Sequence, residues 1–183
     1  MTDPIDIANP DGSLSGKIAP KSEVHSNGLY HHTGHLWLYT SNKHILLQQR
    51  AATKIICPLL WDVSVAGHID AGETIEQGLI REAKEEIGLD LAFDELNKIG
   101  VFKFFQSYPN GMIDNEFHNT YIAELKTDLK KLKPQKEEVE ALKLVSFDTF
   151  EILLEQSETN QHFVASNRPY YKKVLDAIKA EFS

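Results

Sequence analysis

Residues 67–89 read GHIDAGETIEQGLIREAKEEIGL, and their spacing decides what the rest of the chain must build around. Thr74 with Gln77 three residues on forms the capping-box pair that opens a helix. Ile75, Leu79, Ala83 and Ile87 then recur at four-residue steps as one apolar stripe. Gly88 stops the helix as a left-handed residue beyond its last turn. Gly78 inside it costs about 1 kcal/mol relative to alanine, which points to close packing at that position. Glu82, Glu85 and Glu86 fall at i, i+3 and i+4, so three carboxylates project from one face. Each like-charge pair at that spacing weakens a helix by roughly 0.2–0.5 kcal/mol. A divalent cation is the economical compensation, since Mg²⁺ takes oxygen ligands and tolerates one or two carboxylates beside a polyphosphate.

The rest of the composition agrees with such a site. With 183 residues, 42% hydrophobic and 25% charged, the chain reads as a single soluble domain over residues 1–183 with a substantial core. Its formal charge of −8 argues against a nucleic-acid polymer as partner, because such partners favour basic stripes. An acidic protein acting on an anionic phosphate needs metal and a few placed cations. The lone Cys57 excludes an intramolecular disulfide and reads as a small buried apolar residue. No N-terminal run reads as a leader, and nothing nears the ~20 apolar residues of a membrane span. A cytoplasmic protein without a membrane partner is expected, and a homodimer stays open.

Around the central helix the pattern alternates between strand and helix. A hairpin is expected over residues 5–18, with Asn9-Pro10-Asp11-Gly12 as its turn. Residues 35–39 and 44–49 read as strands bracketing Ser41-Asn42-Lys43, and residues 61–66 as another. Residues 99–105 and 116–125 read as strands joined by a loop containing Tyr108-Pro109-Asn110-Gly111, and residues 139–145 as a further strand. Asp148 with Glu151 opens a short helix, and Asn167-Arg168-Pro169 opens an amphipathic helix over about residues 168–182. Residues 126–138 read as a charged, mobile connection. The fold class is therefore mixed α/β.

Residues 67–89 also resemble the Nudix box, G-x5-E-x7-R-E-U-x-E-E-x-G-U, through Gly67, Glu73, Arg81, Glu82, Ala83, Glu85, Glu86, Gly88 and Leu89. The departure is Ala83, smaller than the usual bulky aliphatic. The resemblance implies an α/β/α sandwich with a mixed sheet between helices. It implies Mg²⁺ or Mn²⁺ as cofactor, held by Glu82, Glu85 and Glu86 with the Gly67 carbonyl as an extra ligand. It also implies that Glu73 and Arg81 are structural, an ion pair tying the loop to the helix, which suits the rigid bidentate fork of arginine. The general base is left among a box glutamate, Glu116 and Glu137 or Glu138, with Glu116 preferred.

From about residue 5 to 116 the chain further resembles the isopentenyl-diphosphate-isomerase-like branch of that family. The marks are Gly28-Leu29-Tyr30-His31, His35-Leu36-Trp37, Gln49-Arg50-Ala51 and the run from Trp61 to His68. Two features turn the reading away from an isomerase. Ala66 stands where those enzymes carry a cysteine that transfers protons at carbon, and Glu82 and Glu85 are acids that the isomerases lose. By the same resemblance Arg50 and Lys54 are diphosphate-binding cations, and their four-residue spacing lets both reach one anion. His25, His31 and His68 with Glu116 resemble a second metal site, whose imidazoles suit Mn²⁺ or Zn²⁺. His32 and His35 receive no role. Trp37, Phe104, Phe105 and Tyr108 are aromatics able to stack on the far end of a substrate.

The expectation is a metal-dependent hydrolase of the phosphoanhydride in a small-molecule diphosphate. That substrate is a nucleoside diphosphate linked to a further group, or a nucleoside di- or triphosphate. The competing readings are an isomerase acting on isopentenyl diphosphate and a non-catalytic nucleotide-binding module that keeps the box as scaffold.

Overall fold

A computed structural model describes residues 4–160, 163 and 168–183. The sheet is organised on β3 (Tyr30–Thr40), which uses both of its edges. One edge pairs in parallel with β8 (Ile113–Glu124), from Tyr30 opposite Asn115 to Tyr39 opposite Glu124. The other is shared in succession by three antiparallel strands. β1 (Pro4–Ala8) meets it at His31, β6 (Val65–His68) along Thr33 to Leu36, and β4 (His44–Arg50) at Tyr39 and Thr40. β2 (Leu14–Pro20) flanks β1, β7 (Asn97–Ser107) flanks β8, and β4 also carries β5 (Trp61–Asp62) and β9 (Val139–Ser146).

Alternation along β3 divides the core between the two faces of this mixed sheet. Leu36 and Leu38 pack on one face with Leu79, Ala83 and Ile87, the stripe of α2 (Ile75–Ile87). Trp37 points the opposite way, into α3 (Phe147–Glu155) and α5 (Arg168–Ala180), among Phe150, Val174 and Ile178. Helices therefore cover both faces. Trp37 is fully buried, so it is a core residue and not a stacking surface for substrate. Each such buried side chain contributes roughly 1.5–3 kcal/mol.

The capping box of α2 forms as the spacing predicts, and Gly88 closes the helix with φ 69°. Gly78 has its packing reason: a Cβ there would lie 2.6 Å from Ile69 Cδ1. Other expectations shift. The strand over 61–66 splits into β5 and β6, because side chains take the backbone bonds at the break. Asp62 Oδ1 accepts from Val63 N at 2.8 Å, while Ser64 Oγ donates to Leu46 O and accepts from Leu38 N. Ser146, not Asp148, caps α3, accepting from Thr149 N at 3.1 Å. Asn167 lies outside the described residues. Cys57 is partly exposed on left-handed backbone (φ 49°) and is not a buried apolar residue.

Among the described residues four elements were not expected, among them a 3₁₀ turn at Phe93–Glu95 and the short helix α4 (Ser157–Asn160). Directly after the N-terminal hairpin, α1 (Lys21–Asn27) ends on Gly28 in the left-handed conformation. The segment read as mobile carries a 3₁₀ turn at Leu129–Lys131 and is pinned to the end of α2. Lys133 N and Gln135 N donate to Ile87 O and Glu86 O, both at 2.8 Å, satisfying carbonyls that a helix end leaves free.

Candidate active site

The last two turns of α2, the β6 strand, the end of β4, the faces of β7 and β8, and the edges of α1 and α5 enclose a cleft of about 700 Å³. Glu82, Glu85, Glu86 and Gly67 all line it. Glu82 lies so close over Gly67 that a Cβ on residue 67 would sit 2.1 Å from its carboxyl carbon. Glu86 is buried and makes no ion pair among the described residues; its Oε2 accepts from Ala66 N at 3.4 Å. Burial, and then the neighbouring Glu82 and Glu138 carboxylates, push its pKa up to about 8. Burial also raises Glu82, against the pull of Arg81.

Arg81 gathers the loop that leads into α2. Its Nε and Nη2 donate to the two carboxylate oxygens of Glu73 at 3.0 and 2.9 Å, a bidentate fork, and Nη2 also reaches His68 O at 3.0 Å. Nη1 donates to Glu82 at 2.9 Å and to Glu85 at 3.3 Å. The brace from Glu73 to Arg81 thus continues into two of the three helix carboxylates and leaves Glu86 outside.

On the opposite wall, one nitrogen each of His25, His31 and His68 and one oxygen of Glu116 lie within 4.8 Å of one another. The one-to-one register of β3 with β8 places His31 opposite Glu116. Among the described residues His31 Nε2 is buried with no hydrogen-bond partner, 3.6 Å from Glu116 Oε1. Burial holds His68 well below the usual imidazole range, and its Nε2 lies 3.1 Å from His25 Nε2. Glu116 is buried, yet the hydrogen bond from His118 and the neighbouring His31 ring hold it well below the usual carboxylate range.

Asp114, His118 and Lys21 are site residues that the sequence reading missed. Asp114 bonds His25 Nδ1 at 2.8 Å and accepts from Tyr108 Oη at 2.9 Å. His118 Nε2 bonds Glu116 Oε2 at 2.9 Å. The alternation Asp114, Glu116, His118 on one strand face was the available signal. Lys21 comes from the unexpected α1 and lines the cleft. His35 acquires a place as well: its ring stacks on His118 at 3.9 Å and its Nδ1 bonds Tyr170 Oη at 2.9 Å. Ligand atoms of His35, Glu116 and His118 also lie within 4.8 Å of one another, but two nearly parallel stacked imidazoles do not converge their in-plane lone pairs on one ion, and His118 instead orders Glu116 through its hydrogen bond.

Arg50 and Lys54 both line the cleft, with Arg50 Nε donating to Ile56 O at 3.0 Å and Lys54 ion-paired with Glu138. Glu137 and Glu138 line it too. Among the aromatics, Phe104 and Tyr108 face the cleft, whereas Phe105 does not. Phe104 stands opposite Glu116 in the β7–β8 register and so shares its side; Phe105, one residue on, faces solvent at 65% exposure. Phe105 is therefore no part of a substrate site in this cleft.

The donor chemistry fits a divalent cation in two places. Three carboxylates, one of them buried without a cation, offer the oxygen set that Mg²⁺ or Mn²⁺ takes. The imidazoles with Glu116, including the orphaned His31 Nε2, offer a set better suited to Mn²⁺ or Zn²⁺.

Comparison with known proteins agrees with this geometry. The NUDIX domain model matches residues 31–166. Nudix hydrolase 3 of Arabidopsis thaliana is 35% identical over 95% of this chain, which spans only 23% of that protein's length. An uncharacterized Nudix hydrolase of Clostridium acetobutylicum is 36% identical over 79% of the chain and 70% of its own length. Isopentenyl-diphosphate Delta-isomerase 2 of Photorhabdus laumondii is 33% identical over 62% of the chain and 60% of its own length. The crystal structure of DR0079 from Deinococcus radiodurans shares the fold, with a TM-score of 0.71 over 93% of this chain and 98% of that one at 18% identity. The chain belongs to the Nudix family. Among the described residues no helix is long and apolar enough to cross a membrane.

Proposed function

We propose that this protein is a Mg²⁺- or Mn²⁺-dependent hydrolase that cleaves the phosphoanhydride of a small-molecule diphosphate, either a nucleoside diphosphate linked to another moiety or a nucleoside di- or triphosphate. The observation that carries this reading is Glu86, a buried carboxylate without an ion-pair partner among the described residues, sharing one cleft with Glu82 and Glu85. A buried charge of that kind persists only when paired or bound to metal.

When bound, the cation polarises phosphoryl oxygens and lowers the pKa of a water. The chain's own groups do the rest. Glu82, Glu85 and Glu86 hold the cation, and Arg81 with Glu73 fixes the loop that sets their position. Arg50 and Lys54 orient the diphosphate. Glu116, ordered by its hydrogen bond to His118, accepts the proton of the attacking water. Phe104 and Tyr108 border the space left for the remainder of the substrate.

The histidine set assembles as the isomerase resemblance implies, which keeps that reading in view. Against it, residue 66 offers the cleft a methyl group, and Cys57 is not among the cleft-lining residues. The test is a phosphate-release screen, each reaction coupled to a phosphatase that frees phosphate from the phosphomonoester products, over nucleoside diphosphates, sugar nucleotides, dinucleotides and isoprenoid diphosphates, with Mg²⁺ and Mn²⁺ compared. Metal-dependent release from at least one class supports the hydrolase. Conversion of isopentenyl to dimethylallyl diphosphate instead identifies an isomerase. Metal-independent binding by calorimetry, with neither release nor conversion, identifies a binding module.

A further inference from the structure

Beside the main cleft lies a side cavity of about 40 Å³, onto which Arg50, Lys54, Glu86 and Glu138 all face. Lys54 Nζ is ion-paired with Glu138 Oε2 across it. The backbone fixes Glu138 from two directions. Glu138 N donates to Gln135 O at 3.0 Å, and Gln135 N donates to Glu86 O at 2.8 Å, so the segment is tied to the end of α2. Ala51 N donates to Glu138 O at 2.9 Å, which ties it to the loop that carries Lys54. Glu138 thus stands between an ammonium and a second carboxylate. Turning toward Lys54 gives Glu138 an opposite charge, which Glu86 does not offer.

We propose that Glu138 is a built-in competitor for the phosphate subsite at Lys54. Its carboxylate occupies the ammonium that a diphosphate needs, and it yields when a cation held by the carboxylates of α2 offers it a second positive charge. The consequence is an order of binding, cation before diphosphate. This rests on the assignment of Arg50 and Lys54 as the diphosphate-binding cations. Glu137 supplies the control: it also lines the main cleft but makes no ion pair among the described residues.

The experiment is calorimetric titration of methylenebisphosphonate, which is not hydrolysed, into the protein in EDTA. Glu138→Gln should bind it about 10-fold more tightly than wild type, equivalent to about 1.4 kcal/mol. Glu138→Ala should show the same gain if glutamine perturbs the loop. Glu137→Gln, with the same change of charge, should stay within about three-fold of wild type, as exposed charges do. Adding Lys54→Met to Glu138→Gln should abolish the gain, and Mn²⁺ should narrow the gap between wild type and Glu138→Gln. Equal affinities for wild type and both Glu138 variants, an equal gain in Glu137→Gln, or a gain that survives loss of Lys54 would each overturn the proposal. The readout needs no turnover. A gain in a protein that hydrolyses nothing removes the hydrolase reading and keeps the competitor, and hydrolysis without a gain does the reverse.

Discussion

Gly67 and Glu82 occupy the same space: a Cβ on residue 67 would lie 2.1 Å from the Glu82 carboxyl carbon. The clashing atoms, Cγ, Cδ and Oε1, all belong to the Glu82 side chain, which must take another rotamer while the backbone stays. Gly67→Ala should therefore fold as the wild type does, with a melting temperature within about 3 °C. Its Glu82 carboxylate is displaced, so kcat should fall by about 100-fold or more, the scale of losing a placed electrostatic group. A fully active Gly67→Ala protein would show that Glu82 does not need its observed position.

Glu86→Gln removes the carboxylate that has no ion-pair partner in the described structure. The variant should keep its fold and lose at least about 100-fold in kcat, because a metal-holding charge leaves the transition state. Calorimetry with Mn²⁺ should show weaker binding in parallel. Near-wild-type turnover would remove Glu86 from the metal site.

In the metal-free protein the same residue sets a pH dependence of stability. Its pKa is raised from 4.5 to about 8 on folding, so between those values the folded state holds a proton that the unfolded state has released. Stability must then fall as pH rises through that window. Thermal melts in EDTA should show wild type losing stability from about pH 6 to about pH 8 relative to Glu86→Gln, with Mg²⁺ restoring it at the upper end. Parallel curves for the two proteins would mean that Glu86 is ionised without metal.

Glu73 acts through Arg81. Glu73→Ala breaks a bidentate, mostly shielded pair and should cost about 1–3 kcal/mol of stability. Metal affinity should fall less than in Glu86→Gln, since no ligand is removed. A Glu73→Ala protein as stable as wild type would show that the fork contributes nothing to the fold.

What was legible in the sequence was local. The apolar stripe, the capping box and the three carboxylates lie within residues 67–89, where helical spacing alone brings them together, and the Glu73–Arg81 brace was legible there only through the resemblance to the Nudix box. What escaped depends on register between distant strands. Asp114 and His118 reach the site because β8 runs parallel to β3 with Glu116 opposite His31. Phe104 and Phe105 cannot be told apart until β7 is registered against the same strand. Lys21 needed α1, a seven-residue helix whose N-cap Pro20 makes no side-chain cap hydrogen bond. Trp37 looked available for stacking only because its burial depends on α5, far along the chain.

The central claim is that water attacks phosphorus in this cleft. Turnover of the best substrate from the phosphate-release screen in ¹⁸O-enriched water with Mg²⁺, followed by ³¹P spectroscopy of the products, tests it most directly. The account predicts one ¹⁸O in one phosphoryl product, formed by wild type and nearly absent with Glu86→Gln. Product free of ¹⁸O, or label incorporated equally by Glu86→Gln, would contradict it.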